Sequence, residues 1–268
     1  MNRFIITYAG DKYAIDLECP LDISIPYNFN GQQPNFYDVA PGTQIPFEYN
    51  NIIFDNNAGC NVPVFNFNIH CTGTHTETIG HILDEKDFYI NNILPIKFIS
   101  TIVITIDPIP FSNSDEKYHV GYGPDELIIT SNQIKDALNA YDMSIMDALV
   151  IRTKPNDSSK MFRKYKGNMH PYLTNDAIKF ISSTNVSHLI VDTPSIDRAD
   201  DGGHLLNHKI FWNIDLPNST IKDCRTITEF AFIKNSIKDG TYFLQFLLPN
   251  FNSHVSPTRP ILYRCIDG

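Results

Sequence analysis

Apolar and polar residues alternate over residues 4–8 and again over 12–16, with Gly10-Asp11 between them, which predicts a β-hairpin near the start of the chain. A second period-two stretch, residues 62–69, sets Phe65, Phe67 and Ile69 on one strand face, and residues 100–106 form a strongly apolar run of strand length. The period then changes. Ile134, Ala137, Leu138 and Tyr141 fall at helical spacing behind a cap candidate at Ser131. Residues 147–153 read as a buried strand, 174–184 as a helix with Ala177, Ile178 and Ile181 inward, and 188–192 as another strand, a local strand, helix, strand alternation. Residues 226–233, 241–248 and 260–266 return to strand character. The pattern predicts an α/β protein with more strand than helix. With no internal repeat, low-complexity tract or obvious linker, one domain over residues 1–268 is the expectation.

Composition narrows this picture without redrawing it. With 42% hydrophobic and 19% charged residues, the 268-residue chain lies in the globular range and can bury a substantial core. A net charge of -9 argues against general affinity for nucleic acid, which needs a basic surface, and favours a small or neutral partner. No apolar run approaches the roughly 20 residues needed to cross a bilayer. Residues 1–15 lack the apolar centre of a signal peptide, so no membrane attachment and a cytoplasmic location are expected. The cysteines at 19, 60, 71, 224 and 265 contain no CxxC pair and suit neither a disulfide framework nor a four-cysteine zinc site. Most are expected as buried apolar thiols. Cys71 stands apart because of its neighbours.

The densest group of metal-competent side chains is His70-Cys71-Thr72-Gly73-Thr74-His75-Thr76-Glu77-Thr78-Ile79-Gly80-His81, directly after an apolar strand pattern. If the strand continues, Cys71, His75 and Glu77 project to one side and can converge on a cation. His81 belongs to the same odd-numbered set, although Gly80 signals a bend before it. Thr72, Gly73 and Thr74 disfavour a helix here, which separates this cluster from the helical H-E-x-x-H site. Imidazole and carboxylate suit zinc or manganese, and a thiolate from Cys71 would favour zinc. Against this stands the bland reading of polar loop residues, equally weighted on spacing alone.

Residues 71–81 resemble the H-x-G-T-H-x-D-x-P-x-H signature of the cyclase family, which includes bacterial kynurenine formamidases and isatin hydrolases. Gly73, Thr74, His75 and His81 agree with it, whereas Cys71 stands at the first histidine, Glu77 at the aspartate, and Ile79 and Gly80 leave no proline before the last histidine. Asp22-Ile23-Ser24-Ile25-Pro26 is similar to the family's D-[IL]-S-x-P opening, Val191-Asp192-Thr193-Pro194-Ser195-Ile196-Asp197 to its D-x-x-S-[IV]-D segment, and Ser256-Pro257-Thr258-Arg259 to its S-P-x-R. His208-Lys209-Ile210-Phe211-Trp212 and Thr226-Ile227-Thr228-Glu229-Phe230 resemble its late histidine and glutamate segments, with an insertion around residues 215–224.

The resemblance implies a swivelling β/β/α fold, a homodimer, and a centre of one or two divalent ions, zinc first and manganese second. Cys71, His75, Glu77, His208 and Glu229 would be the ligands, with His70 competing for the place of Cys71 and His204 for that of His208. His81 would relay protons and Phe36 would contact substrate. Glu229 also stands out by itself, because a carboxylate in an apolar strand needs a cation or strong donors unless it faces solvent. For Asp192 and Asp197, turn or capping roles are the simpler reading; for His119, His170, His188 and His254, a solvent-facing or core-hydrogen-bonded role. The implied activity is metal-dependent hydrolysis of a small N-formyl, amide or lactam compound. The competing expectation, raised by Cys71, is a small-molecule-binding or regulatory protein on the same fold.

Overall fold

The computed structural model describes residues 3–94, 97–166, 170–214 and 220–266. Four strands, Ile99–Ile106, Ala148–Thr153, His188–Val191 and Thr226–Glu229, lie side by side and parallel at the heart of an 11-stranded sheet. Covered on both faces, the first three are runs of mainly β-branched and apolar residues (ISTIVITI, ALVIRT, HLIV) without strict alternation. On one flank, Gly240–Leu247 pairs antiparallel with Ile99–Ile106, followed by Arg259–Ile266 and the Arg3–Tyr8/Asp11–Asp16 hairpin. On the other, His75–Thr78 pairs antiparallel with Thr226–Glu229, and Val255–Pro257 pairs with it in turn.

The helices Ser131–Leu138, Asn175–Ser182 and Leu206–Trp212 pack on one face of this sheet. Their inward residues Ile134, Leu138, Ala177, Ile178, Ile181, Ile210, Phe211 and Trp212 meet Ile104, Leu149, Ile151, Leu189 and Ile227. The other sheet face buries Val103, Val150, Ile190, Leu244 and Leu262 with Ile23 and Ile233. Thr174 caps the second helix, and the first is capped by Thr130, one residue before the expected Ser131, in a capping box with Gln133. Among the described residues no helix is long and apolar enough to cross a membrane.

Two predicted strands end early, and both endings shape the site. The strand expected over residues 62–69 is only Pro63–Asn66 and belongs to a separate, exposed sheet with Thr43–Tyr49 and Ile52–Phe54. Phe65 and Phe67 pack against Phe29 and Tyr27 and stay out of the central core, and Ile69 opens a one-turn helix, Ile69–Thr72. Asn68 starts that turn by accepting a hydrogen bond from the Cys71 amide. The strand expected over 226–233 stops at Glu229, where Phe230 takes φ 56° and donates its amide to Thr193 O. Of the insertion expected at 215–224, residues 215–219 lie outside the described residues.

Candidate metal centre

Three distant segments fasten the loop that precedes the His75–Thr78 strand. Thr74 Oγ1 accepts the Ile25 amide at 2.7 Å and donates to Phe230 O, while Thr74 O accepts the Thr258 amide and the Tyr27 hydroxyl, each at 3.1 Å. Asp22 organises the first segment by accepting from Ser24 N and Oγ, and reaches the last through Arg259 Nε at 2.7 Å. A Cβ at Gly73 would sit 2.7 Å from the Tyr27 ring, so only glycine lets the two segments approach so closely.

Strand register then assembles the centre. Glu229 lies directly opposite His75, and Ile227 opposite Glu77, so His75, Glu77 and Glu229 share one sheet face. The Leu206–Trp212 helix packs on that face and delivers His208. His208 Nε2 lies 2.8 Å from Glu77 Oε1 and 3.6 Å from Glu229 Oε1, and His75 Nε2 lies 3.5 Å from Glu229 Oε2. His70 Nδ1 is 3.2 Å and His81 Nε2 3.9 Å from Glu77 Oε2. His75, Glu77, His208 and Glu229 are buried, whereas His70 and His81 keep 33% and 30% of their side chains exposed and so form the open side.

Several observations fit a cation. His75 Nδ1 donates to Gly73 O at 2.9 Å, so in the neutral ring the lone pair that can bind a cation lies on Nε2, and that buried atom has no hydrogen-bond partner. Glu77 Oε1 is likewise buried without a hydrogen bond, its 2.8 Å approach to His208 lacking the required alignment. Two groups of ligand atoms, His70/His75/Glu77 and Glu77/His208/Glu229, each lie within 4.8 Å of one another. Imidazole nitrogen with carboxylate oxygen is the donor chemistry of zinc and manganese.

The charges are tightly linked. Burial would raise the Glu77 carboxyl, but His81, His208 and His70 outweigh it and hold it well below the usual carboxylate range. Burial would likewise neutralise His208, yet Glu77 and Asp197 on either side hold it well above the ordinary histidine value. At His81 the pull of Glu77 is overcome by burial and the neighbouring imidazoles of His70, His208 and His75, which bring it down to about 4. A neutral imidazole on the open side can accept a proton.

Not every candidate converges. Cys71 belongs to neither ligand group among the described residues; its thiol is buried with Phe36, Tyr165 and Phe230, and burial followed by Glu229 pushes it up to about 11. The same-face argument for Cys71 fails because the backbone there is a helical turn, which instead brings His70 to Glu77. His208 enters the centre, whereas His204 packs against the His119 ring at 5.5 Å. Phe36 is buried, 5.3 Å from the His170 ring and 3.9 Å from Tyr37. Glu229 lies on an inner strand and faces the centre, not solvent. Asp192 is engaged elsewhere, paired with buried Lys160 at 2.7 Å and accepting from Thr153. Asp197 does more than the turn or cap read from sequence: besides accepting the Asn207 amide, its Oδ2 holds His208 Nδ1 at 2.6 Å. A carboxylate behind a metal-binding histidine is the usual orienting device, and no local sequence pattern links Asp197 to His208 across the loop between them.

The fold and the centre together define an α/β protein with a buried histidine and glutamate cluster at the meeting of two antiparallel strands and a helix. The Cyclase family model matches residues 15–198, more than half of the chain, and the protein belongs to that family. His208 and Glu229, expected as ligands from the resemblance, lie beyond the matched segment, and the structure brings them to the centre. A predicted metal-dependent hydrolase from Bacillus stearothermophilus shares the fold with a TM-score of 0.58 at 15% identity, over 91% of this chain and 98% of that one. Isatin hydrolase A from Labrenzia aggregata, bound to benzyl benzoate, gives 0.62 at 13%, over 92% and 94%. A structure described as a novel cyclase gives 0.62 at 14%, over 92% and 89%. These likenesses show the α/β cyclase-family fold. Among curated proteins, none matches the sequence.

Proposed function

We propose that the protein is a metal-dependent hydrolase that cleaves a small N-formyl, amide or lactam substrate. The observation that carries this reading is the convergence of His75 Nε2 and Glu77 Oε1, both buried without hydrogen bonds, with His208 and Glu229. Those four residues would hold one or two divalent ions, zinc or manganese. A bound divalent ion supplies Lewis acidity, which polarises a carbonyl oxygen and lowers the pKa of water, on zinc to about 7.

The chain's own groups supply the rest. His81, neutral and beside Glu77 on the open side, takes the proton of the attacking water and returns it to the departing nitrogen. Asp197 fixes the His208 ring so that Nε2 faces the carboxylates. Phe36, Tyr165, Phe230 and His170 form a buried aromatic cluster that joins the centre through Phe230, 6.2 Å from the His75 ring, and makes its surroundings apolar. Isatin hydrolase among the structural neighbours supports an amide or lactam carbonyl as the bond attacked. Two broader features fit the same reading. Ile45, Phe47, Tyr49, Ile52 and Ile53 are exposed on one small sheet, which supports a homodimer. Cys19, Cys60, Cys71 and Cys224 are free thiols, which supports a reducing cytoplasm.

Purified protein assayed against N-formyl anilides, aryl amides and lactams should show hydrolysis that a chelator abolishes and Zn²⁺ or Mn²⁺ restores. His81→Ala should lower kcat by about 10²–10⁴-fold. Hydrolysis that persists after both metal removal and this substitution would sink the mechanism.

A further inference from the structure

The one-turn helix Ile69–Thr72 decides which side chain enters the centre first. On a continued strand, residues 71, 75 and 77 would share a face. In a helical turn neighbouring side chains leave the axis about 100° apart, so His70 and Cys71 go to different places. The turn is fixed by Asn68, whose side chain accepts the Cys71 amide at 3.2 Å and whose carbonyl accepts Thr72 Oγ1 at 2.5 Å.

His70 goes towards the ligands. Its Nδ1 lies 3.2 Å from Glu77 Oε2, and its ring is 5.1 Å from His75 and 4.4 Å from His81. With His75 and Glu77 it forms one of the two groups whose ligand atoms lie within 4.8 Å of each other, and its partial exposure leaves that group open to solvent. Cys71 goes the other way, buried among Ile25, Phe36, Tyr165, Ala199, Phe230 and Phe232.

We propose that His70 is the first ligand of the metal centre, displaced by one residue from Cys71, and that the Cys71 thiol is a buried member of the apolar cluster behind the centre, not a ligand. The assignment rests on the metal-dependent reading above and sharpens it. It makes the centre one of nitrogen and oxygen donors alone. Such a set accepts manganese as well as zinc, whereas a thiolate would bias the site to zinc.

Cobalt(II) tests this without any assay of turnover, because a cysteine thiolate bound to cobalt gives a charge-transfer absorption in the near ultraviolet that nitrogen and oxygen ligands do not. The wild-type chain loaded with Co²⁺ is expected to show d–d absorption without that band. Cys71→Ala is expected to keep the wild-type amount of metal per chain. His70→Ala and His70→Gln should each weaken Co²⁺ binding by more than the roughly 10–100-fold that loss of an outer partner costs. A thiolate band in the wild type, or metal lost from Cys71→Ala and retained by both His70 variants, would overturn the ligand assignment and leave the hydrolase reading standing. A wild-type chain that takes up no cobalt would overturn both. The wild-type spectrum decides the thiolate question even where a variant fails to fold.

Discussion

At the scale of single residues, Asp197 shows how a side chain that belongs to neither ligand group can set the centre by holding one of its members. Its Oδ2 holds His208 Nδ1 at 2.6 Å, and its Oδ1 is anchored by the Tyr118 hydroxyl at 2.7 Å and the Asn207 amide at 2.9 Å. The carboxylate therefore fixes both the tautomer and the direction of the ring, leaving Nε2 for the interior of the centre. Asp197→Asn keeps the shape and removes the charge. It should weaken metal affinity or activity by about 10–100-fold while the protein stays folded, as read by metal titration and circular dichroism. Unchanged affinity would confine Asp197 to capping the helix. Asp192, five residues earlier, shows that the same residue type in the same motif can be purely structural, since it is consumed by Lys160 and Thr153.

At the scale of elements, the short helix Gly80–Leu83 carries His81 and is held from the far end of the chain. Val255–Pro257 pairs with the His75–Thr78 strand, His254 O accepts the Thr78 amide, and the His254 ring lies over Gly80 with Nε2 3.0 Å from Glu85 O. A Cβ at position 80 would come within 2.2 Å of that ring. Gly80→Ala should therefore cost about 1–3 kcal/mol by overpacking, measured by urea denaturation. Adding His254→Ala should recover part of the loss, and a double variant no better than the single one would refute the clash. The parallel core and the helices Ser131–Leu138 and Asn175–Ser182 were legible in the sequence because long apolar runs and helical spacing survive whatever packs around them, whereas the seven-residue helix Leu206–Trp212 was not. His75 and Glu77 were legible for a related reason, a period of two within one short strand. The turn at Ile69–Thr72 was not, because its signal is a single cap, Asn68, in a stretch whose threonines and glycine favour strand. The reversal at Phe230 was hidden in an unbroken apolar pattern, since its positive φ is imposed by hydrogen bonds to Thr193 and Thr74. His254 carried no local pattern at all, as its partner lies 174 positions away at Gly80.

At the scale of the whole molecule, the interior is built for neutral pH. His188, between the central sheet and Phe246, is driven down to about 3 by burial and then by Lys97, and His170 down to about 4 by burial, from an ordinary 6.5. Both are neutral in the folded chain, so below pH 6.5 the unfolded chain binds protons that the folded one refuses. The contribution of these two histidines is whole above that pH and is lost progressively down to the folded values, by at most about 1.4 kcal/mol per pH unit for each. His208, held above the ordinary value by its carboxylates, works in the opposite sense, so the test is a difference: between pH 7 and 5 the urea midpoint of His188→Gln should change towards lower stability by less than that of wild type, and parallel curves would exclude His188 as a source.

Glu77 joins both ligand groups, linking the early strand and the His70 turn to the late helix and strand. Metal content per chain, measured by elemental analysis on wild type and Glu77→Gln after equilibration with Zn²⁺ or Mn²⁺, therefore tests the shared centre most directly. At least one tightly held ion per wild-type chain, lost or greatly reduced in the variant, is the expected outcome. No ion in the wild type, or equal amounts in the two, would contradict it.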